Sequence, residues 1–336
     1  WTLAYIFRTA SGAFSGADVD TSARIFSTLI SDPERLLAWH SIFMVMTLLV
    51  VARGVRGGLE RATKVLMPAL FVLLVVLLGY ALHTDYFDDG MRFMFKPDFS
   101  RITGEGVLAA MGQAFFSLSL GMGAIMIYGS YLPQHDSITR SSITIALADT
   151  AVAILAGLAI FPIIFANGLT SAQGPGLVFK TLPIAFGHMP GGAFFGMLFF
   201  VLLTFAAWTS AISIIEPAVA WLVENRDMKR ITATALSGAA VWLLGLGTIF
   251  SFNIWSDDTL WGKTFFDLID YLTSNIMLPL GGLSISVFAV WVMAKESSRE
   301  ELNLADGAGY AAWRFLLRYI TPVAVAIVFV HAVGIS

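Results

Sequence analysis

The sequence predicts an all-α polytopic membrane protein, and three observations carry that prediction. Of the 336 residues, 57% are hydrophobic and 13% charged, with a mean hydropathy of +0.78. That is membrane composition rather than the composition of a soluble core. Eight apolar runs approach or exceed the roughly 20 residues that cross about 30 Å of hydrocarbon: 36–52, 62–82, 107–132, 142–166, 191–223, 231–250, 265–293 and 310–333. The chain left between them is too short for a soluble domain, so residues 1–336 are expected to form one transmembrane domain.

The opening WTLAYIF is apolar, carries no Met and lacks the basic flank of a signal peptide. It reads as the end of a further helix, and the chain as an N-terminally truncated fragment. Residues 11–35 and 85–105 are long loops able to fold over one mouth of the protein. The basic loop at 53–64 sets orientation: placed inside, it puts Arg140, the NRDMKR loop and Lys295 to Arg318 on the same side, with twelve of the 20 Lys and Arg. Asp18, Asp20, Asp32, Asp85, Asp88, Asp89, Asp257 and Asp258 then fall outside. This pattern is that of a chain that crosses a membrane several times.

The run at 107–132 contains QAFFSLSLGMGAIMIYGSYLP, with Ser117, Ser119, Gly121 and Gly123 near its middle. Gly in a helix interior costs about 1 kcal/mol relative to Ala. Small residues also permit close helix packing, but Phe115, Phe116, Met122 and Met126 leave no clean small-residue face. An unwound helix lining a cavity is the better reading. In the next run Asp149 is the most deeply placed carboxylate, and a charge at mid-membrane costs about 2.5–3.5 kcal/mol on insertion scales. It is expected to face a cavity, an ion or a partner.

Residues 174–192, GPGLVFKTLPIAFGHMPGG, are too short to span and too apolar for an ordinary loop. They suit a re-entrant lid or an interfacial hairpin, with a plain linker as the bland alternative. In the span TFAAWTSAISIIEPAVAWLVE, Thr209, Ser210 and Ser213 either bond their own helix carbonyls or offer oxygens to a hard cation beside the Ala206 carbonyl. Glu216 lies lower in the same helix, where Pro217 frees a carbonyl. Asp267 and Asp270 share one helix face, as a solvated helix start or as a gate carboxylate. No short tandem repeat is visible. Cysteine is absent, which excludes disulfides and thiolate metal sites.

Taken in order and spacing, RGVRGGLERATKVLMP, FFSLSLGMGAIMIYGSY, GLVFKTLPIAF and AAWTSAISIIEP resemble the bacterial branch of the neurotransmitter:sodium symporter family. The family's leucine transporter is the type case of an inverted-repeat bundle with broken helices and a mid-membrane site. The resemblance implies that fold here, with family helices 3 to 11 present and helices 1, 2 and half of 3 missing. It implies a sodium-coupled symporter of a neutral, hydrophobic or aromatic L-amino acid, working by alternating access and not an enzyme. An ion channel or ligand-gated pore is the alternative.

The same resemblance assigns site residues. The carbonyls of Phe116 and Ser117 and the Ser119 hydroxyl take the substrate ammonium, at a break that includes Gly121. Met122, Ala211 and Ile214 line the side-chain pocket, and Phe116 closes its outer side. One sodium ion is held by Ser117 and Asp149, a second by the Ala206 carbonyl, Thr209 and Ser210. Both sites are expected to be incomplete here, since helix 1 supplies the remaining ligands. Asp149 stands where Asn is commonest and is expected to substitute for chloride, so chloride is not expected as a cofactor. Asp270 is implied as an outer gate, and Tyr131 with Glu224 as an inner one. The expected partners are a small amino acid and the lipid bilayer, with no nucleic acid.

Overall fold

The computed structural model describes residues 1–54, 58, 60–133, 136–166, 175–302 and 307–333. Val55–Gly57 and Leu59 of the basic loop, and Gly174 at the start of the lid segment, lie outside the described residues. The described residues are helical almost throughout, and seven helical stretches among them are long and apolar enough to cross a membrane. The expected span at 107–132 is not among them, because it is divided in two. The chain falls into two compact units, Trp1–Pro97 with Val152–Phe265 and Asp98–Ala151 with Phe266–Ser336.

In the first unit α1 (Thr2–Ala10), α2 (Val19–Ile30), α3 (Pro33–Ala52), α4 (Glu60–Ala81) and α5 (Phe87–Phe95) precede α9 (Leu182–His188), α10 (Gly192–Arg226) and α11 (Arg230–Phe250). The starts of α2 and α3 follow from their caps. Asp18 accepts the Thr21 amide at 2.8 Å and Asp32 the Arg35 amide at 3.0 Å, with Pro33 at the first position of α3. The Thr21 hydroxyl and amide also hold the Asp18 carboxyl below the usual carboxylate range.

The core of this unit is aromatic. Tyr5, Phe179, Phe186, Phe199 and Phe200 are buried around α1, α9 and α10. Tyr5 keeps its polar tip satisfied by donating to the Phe179 carbonyl at 2.8 Å.

The lid segment is one continuous helical stretch built into that core, not a hairpin. A π-helical turn at Leu177–Thr181 leads into α9, whose Leu182, Ala185 and Phe186 are buried. The outer loop at 11–35 clasps it: Ser22 donates to the Lys180 carbonyl at 2.7 Å, and the Gly16 amide to the Gly187 carbonyl at 3.1 Å. Gly187 lies so close to Phe14 that an added Cβ would run into the Phe14 carbonyl oxygen. The second long loop forms α5, which packs on α8 (Ile138–Ala166), with Gly90 against Pro162 and Met94 against Gly157.

The second unit contains α6 (Gly104–Ser117), α7 (Ala124–Ser130), the first half of α8, and two long interrupted helices. The first runs through α12 (Phe265–Asp270) and α13 (Leu278–Val287). After α14 (Lys295–Leu302), the second runs through α15 (Ala308–Phe315) and α16 (Thr321–Val333).

The sequence pattern predicts both long helices as regular spans, and both carry π-helical turns: Tyr271–Met277 and Phe288–Val292 in the first, Leu316–Ile320 in the second. Proline accounts for three of these four π-helical segments among the described residues, the lid turn included. The turns at 177–181, 271–277 and 316–320 end two residues before Pro183, Pro279 and Pro322. A proline removes one amide and its ring crowds the carbonyl four residues back. Widening the preceding turn relieves that crowding within a continuous helix.

A Gly187→Ala substitution is expected to destabilise the protein by about 1–3 kcal/mol through overpacking. Gly176→Ala, where an added Cβ meets nothing within 4 Å, should not. Thermal unfolding of the detergent-solubilised chain checks this; equal melting of the two variants would refute the clasped arrangement.

Candidate functional site

The chain leaves helical geometry between Ser117 and Ala124, where the sequence places its small residues. Ser119 has φ 53°, and Gly121 and Gly123 both have φ 81°. Three left-handed residues within five positions turn the backbone out of α6 and back into α7. Non-glycine residues rarely adopt this region, so Ser119 holds a strained conformation at the centre of the break.

Local bonds satisfy only part of the freed backbone. The Leu118 amide reaches the Ala114 carbonyl at 3.2 Å, Ser119 the Phe116 carbonyl at 3.1 Å and Leu120 the Phe115 carbonyl at 2.9 Å. The Ser117 carbonyl takes no backbone partner among the described residues.

The break is seated on α13 through bare backbone. A Cβ on Gly121 would run into the Leu278 carbonyl oxygen and come within 2.9 Å of the Gly282 amide nitrogen. Gly121 therefore serves close packing as well as a positive φ. Phe116, 57% exposed, lines a cavity of about 390 Å³ with Gln113, Asn275, Leu278 and His331. Met122 is half-buried beside Gly121.

Ser117 and Asp149 come together. The Ser117 hydroxyl donates to Asp149 Oδ2 at 3.0 Å, joining the end of α6 to the middle of α8 across 32 residues of sequence. A hydroxyl that donates its proton keeps its lone pairs, so this pair presents oxygens of the kind a hard cation takes. Asp270 is exposed at the end of α12 and accepts a bond from Ser274 at 3.2 Å. Tyr131 caps α7.

In the first unit the remaining predicted residues lie on α10. Thr209 is buried and its hydroxyl bonds both the Phe205 and Ala206 carbonyls at 3.0 Å, the helix back-bonding that the sequence left open. Ser213 does the same to the Thr209 carbonyl at 2.9 Å. Ser210 is exposed one position away. Ala211 and Ile214 line an apolar groove of about 540 Å³ with Met44, Thr47, Leu236 and Val241. Glu224 is exposed near the end of the helix. Among the described residues no group of three or more His, Cys, Asp or Glu is placed to hold a metal ion.

Residues 26–335 match the model of the sodium:neurotransmitter symporter family. The chain belongs to this family. It is 40% identical to the uncharacterized sodium-dependent transporter YhdH of Bacillus subtilis over its whole length, covering 75% of that protein. It is 32% identical to an uncharacterized sodium-dependent transporter of Haemophilus influenzae, covering 98% of this chain and 73% of the relative. Among solved structures, that of MhsT in complex with L-phenylalanine matches with a TM-score of 0.88 and 40% identity, over 99% of this chain and 76% of that one. The protein is thus a multi-pass, sodium-dependent transporter and not an enzyme.

One pair at the lower end of α10 has no counterpart among the predicted residues. Glu216, with its side chain 1% exposed, meets Arg230 of α11 at 2.6 Å, and Arg230 Nε donates to the Val51 carbonyl at the end of α3 at 2.8 Å. The available signal was a carboxylate in an apolar helix followed by a basic residue at the start of the next. Removing one member of a buried pair costs about 3–5 kcal/mol, whereas replacing both is often neutral. Arg230→Ala is therefore expected to lower thermal stability strongly, and Glu216→Gln with Arg230→Met to recover most of the loss. A wild-type melt for Arg230→Ala would contradict this role.

Proposed function

We propose that the chain carries the sodium and substrate machinery of a symporter for a neutral, hydrophobic or aromatic L-amino acid in a bacterial inner membrane. The observation that supports this most directly is the hydrogen bond from Ser117, at the helix break, to Asp149. It brings a carboxylate beside backbone groups released from the helix, which supports a cation site there. In this reading Ser117 and Asp149 hold one Na⁺. Ala206, Thr209 and Ser210 hold the second, Ser210 being free to turn its hydroxyl to the ion and Thr209 offering its lone pairs.

The Phe116 and Ser117 carbonyls and the Ser119 hydroxyl take the substrate ammonium, with Phe116 as a lid. Met122, flexible and polarizable, sets preference among apolar side chains, as do Ala211 and Ile214. The L-phenylalanine complex of MhsT, at 40% identity, supports an aromatic substrate. Asp270, Tyr131 and Glu224 act as gates. Asp149 supplies internally the negative charge that chloride would otherwise bring. Two Na⁺ moving through 100 mV gain roughly 2.3 kcal/mol each, and a tenfold Na⁺ gradient adds about 1.4 kcal/mol each. Together these support about five decades of accumulation.

Because the resemblance assigns part of each ion site to helices upstream of Trp1, transport is measured on the chain preceded by the N-terminal segment of a relative. L-Phenylalanine uptake into proteoliposomes should require Na⁺ but not chloride. Asp149→Asn should weaken uptake at least tenfold and make the remaining uptake chloride-stimulated. Ser210→Ala should raise the Na⁺ concentration for half-maximal uptake more than Ser213→Ala. Chloride-dependent wild-type uptake, or an Asp149→Asn variant that transports like the wild type, would overturn the assignment of Asp149.

A further inference from the structure

The hairpin that joins the two interrupted helices of the second unit is held by a reciprocal exchange. Arg314 of α15 donates to the carbonyl of Val290, within the π turn at 288–292, at 3.0 Å. Ser286 of α13, itself buried, donates to the carbonyl of Leu317, within the π turn at 316–320, at 2.9 Å. A π turn displaces a carbonyl from the α-helical ladder, and each helix here supplies the side chain that bonds one on the other.

Arg318 takes no part in this exchange. Its guanidinium lies 4.3 Å from the centre of the Trp291 ring and 5.6 Å from that of Tyr319. Its Nε is buried without a hydrogen-bond partner. No carboxylate lies within ion-pair distance of Arg314 or Arg318 among the described residues. A guanidinium held on an aromatic face with no carboxylate paired to it, and with its Nε turned inward, is left to take an external anion through its terminal Nη groups.

The surroundings define which anion. Trp291 and Tyr319 are exposed against the arginine, and Phe315 is exposed against Tyr319, at 50–56%. Aromatic rings around a basic residue at the end of a transmembrane hairpin mark the headgroup level of a bilayer, and the Lys and Arg distribution places this end inside. The adjoining α14, KESSREEL, carries more acidic than basic residues, so a diffuse polybasic field is not the source of attraction.

We propose that Arg318, positioned by Trp291 and assisted by Arg314, binds the phosphate of an anionic glycerophospholipid of the inner leaflet. The lipid's acyl chains run along Trp291 and Phe315 on the same side. The terminal Nη groups of Arg318 meet the phosphate oxygens, and the aromatic pair fixes the guanidinium plane at the depth where that phosphate sits.

The test is native mass spectrometry of the delipidated chain, titrated with dioleoyl phosphatidylglycerol or dioleoyl phosphatidylcholine. The preference for phosphatidylglycerol should be roughly fivefold or more, corresponding to about 1 kcal/mol per Arg near the membrane surface. Arg318→Gln should abolish it. Arg226→Gln, which removes an arginine stacked on Trp221 of α10, should leave it intact. Equal binding of the two lipids, an unchanged preference in Arg318→Gln, or displacement of the lipid by sn-glycerol 3-phosphate would each overturn the proposal. Should Arg318→Gln fail to fold, a phosphatidylglycerol with a photoreactive headgroup decides on the wild-type chain. Labelling of residues 290–293 and 314–319 supports the site, and labelling confined to other segments refutes it.

Discussion

A peptide group without a partner in hydrocarbon costs several kcal/mol, and every departure from regular helix in this protein has to meet that cost. The π turns meet it with side chains from neighbouring helices, as Arg314 and Ser286 do for Val290 and Leu317. The lid helix meets it by accepting bonds from Tyr5 and Ser22. The break between Ser117 and Ala124 meets it only in part. Its amides at 118, 119 and 120 close on preceding carbonyls, while the Ser117 carbonyl is left to other partners. A transported ion and an amino acid are suited to complete that set.

The break is also anchored rather than loose. Gly121 rests on the backbone of α13, and Ser117 is tied to Asp149 on α8. An unwound segment with fixed ends presents the same carbonyls and hydroxyls in the same directions each time, which is what selective binding requires. The strain at Ser119 is carried at the position where the chain exposes its polar groups.

The break was legible because Ser and Gly at the driest point of a long apolar run contradict the physics of a plain span. Asp149 was legible for the same reason, and the apolar character of 174–192 separated the lid from ordinary loops. The roles given to Met122, Ile214 and Ser210 came from family resemblance and not from periodicity. Glu216 stood out as a carboxylate in an apolar helix, but its pairing with Arg230 and the Arg314 and Ser286 bonds were not legible, because pairings between helices leave no period in the sequence. The π turns had a local signal, a proline two residues downstream, but Pro68, Pro162 and Pro217 sit inside α-helices. Proline alone therefore does not mark them. Thr209 is the opposite case: the sequence left its hydroxyl two roles, and the structure shows the back-bonding one, to the Phe205 and Ala206 carbonyls.

The chain contains no cysteine, so a single Ser119→Cys thiol reports on the break against a silent background. The most direct test is the rate of its alkylation by a water-soluble maleimide, in the transport-competent protein, with Na⁺ and L-phenylalanine present separately and together. If the break faces the transported amino acid, the thiol reacts readily without ligand and is protected only when both are present. A thiol that reacts at one rate under all conditions, or never reacts, would mean that the break is a packing feature and that the substrate binds elsewhere.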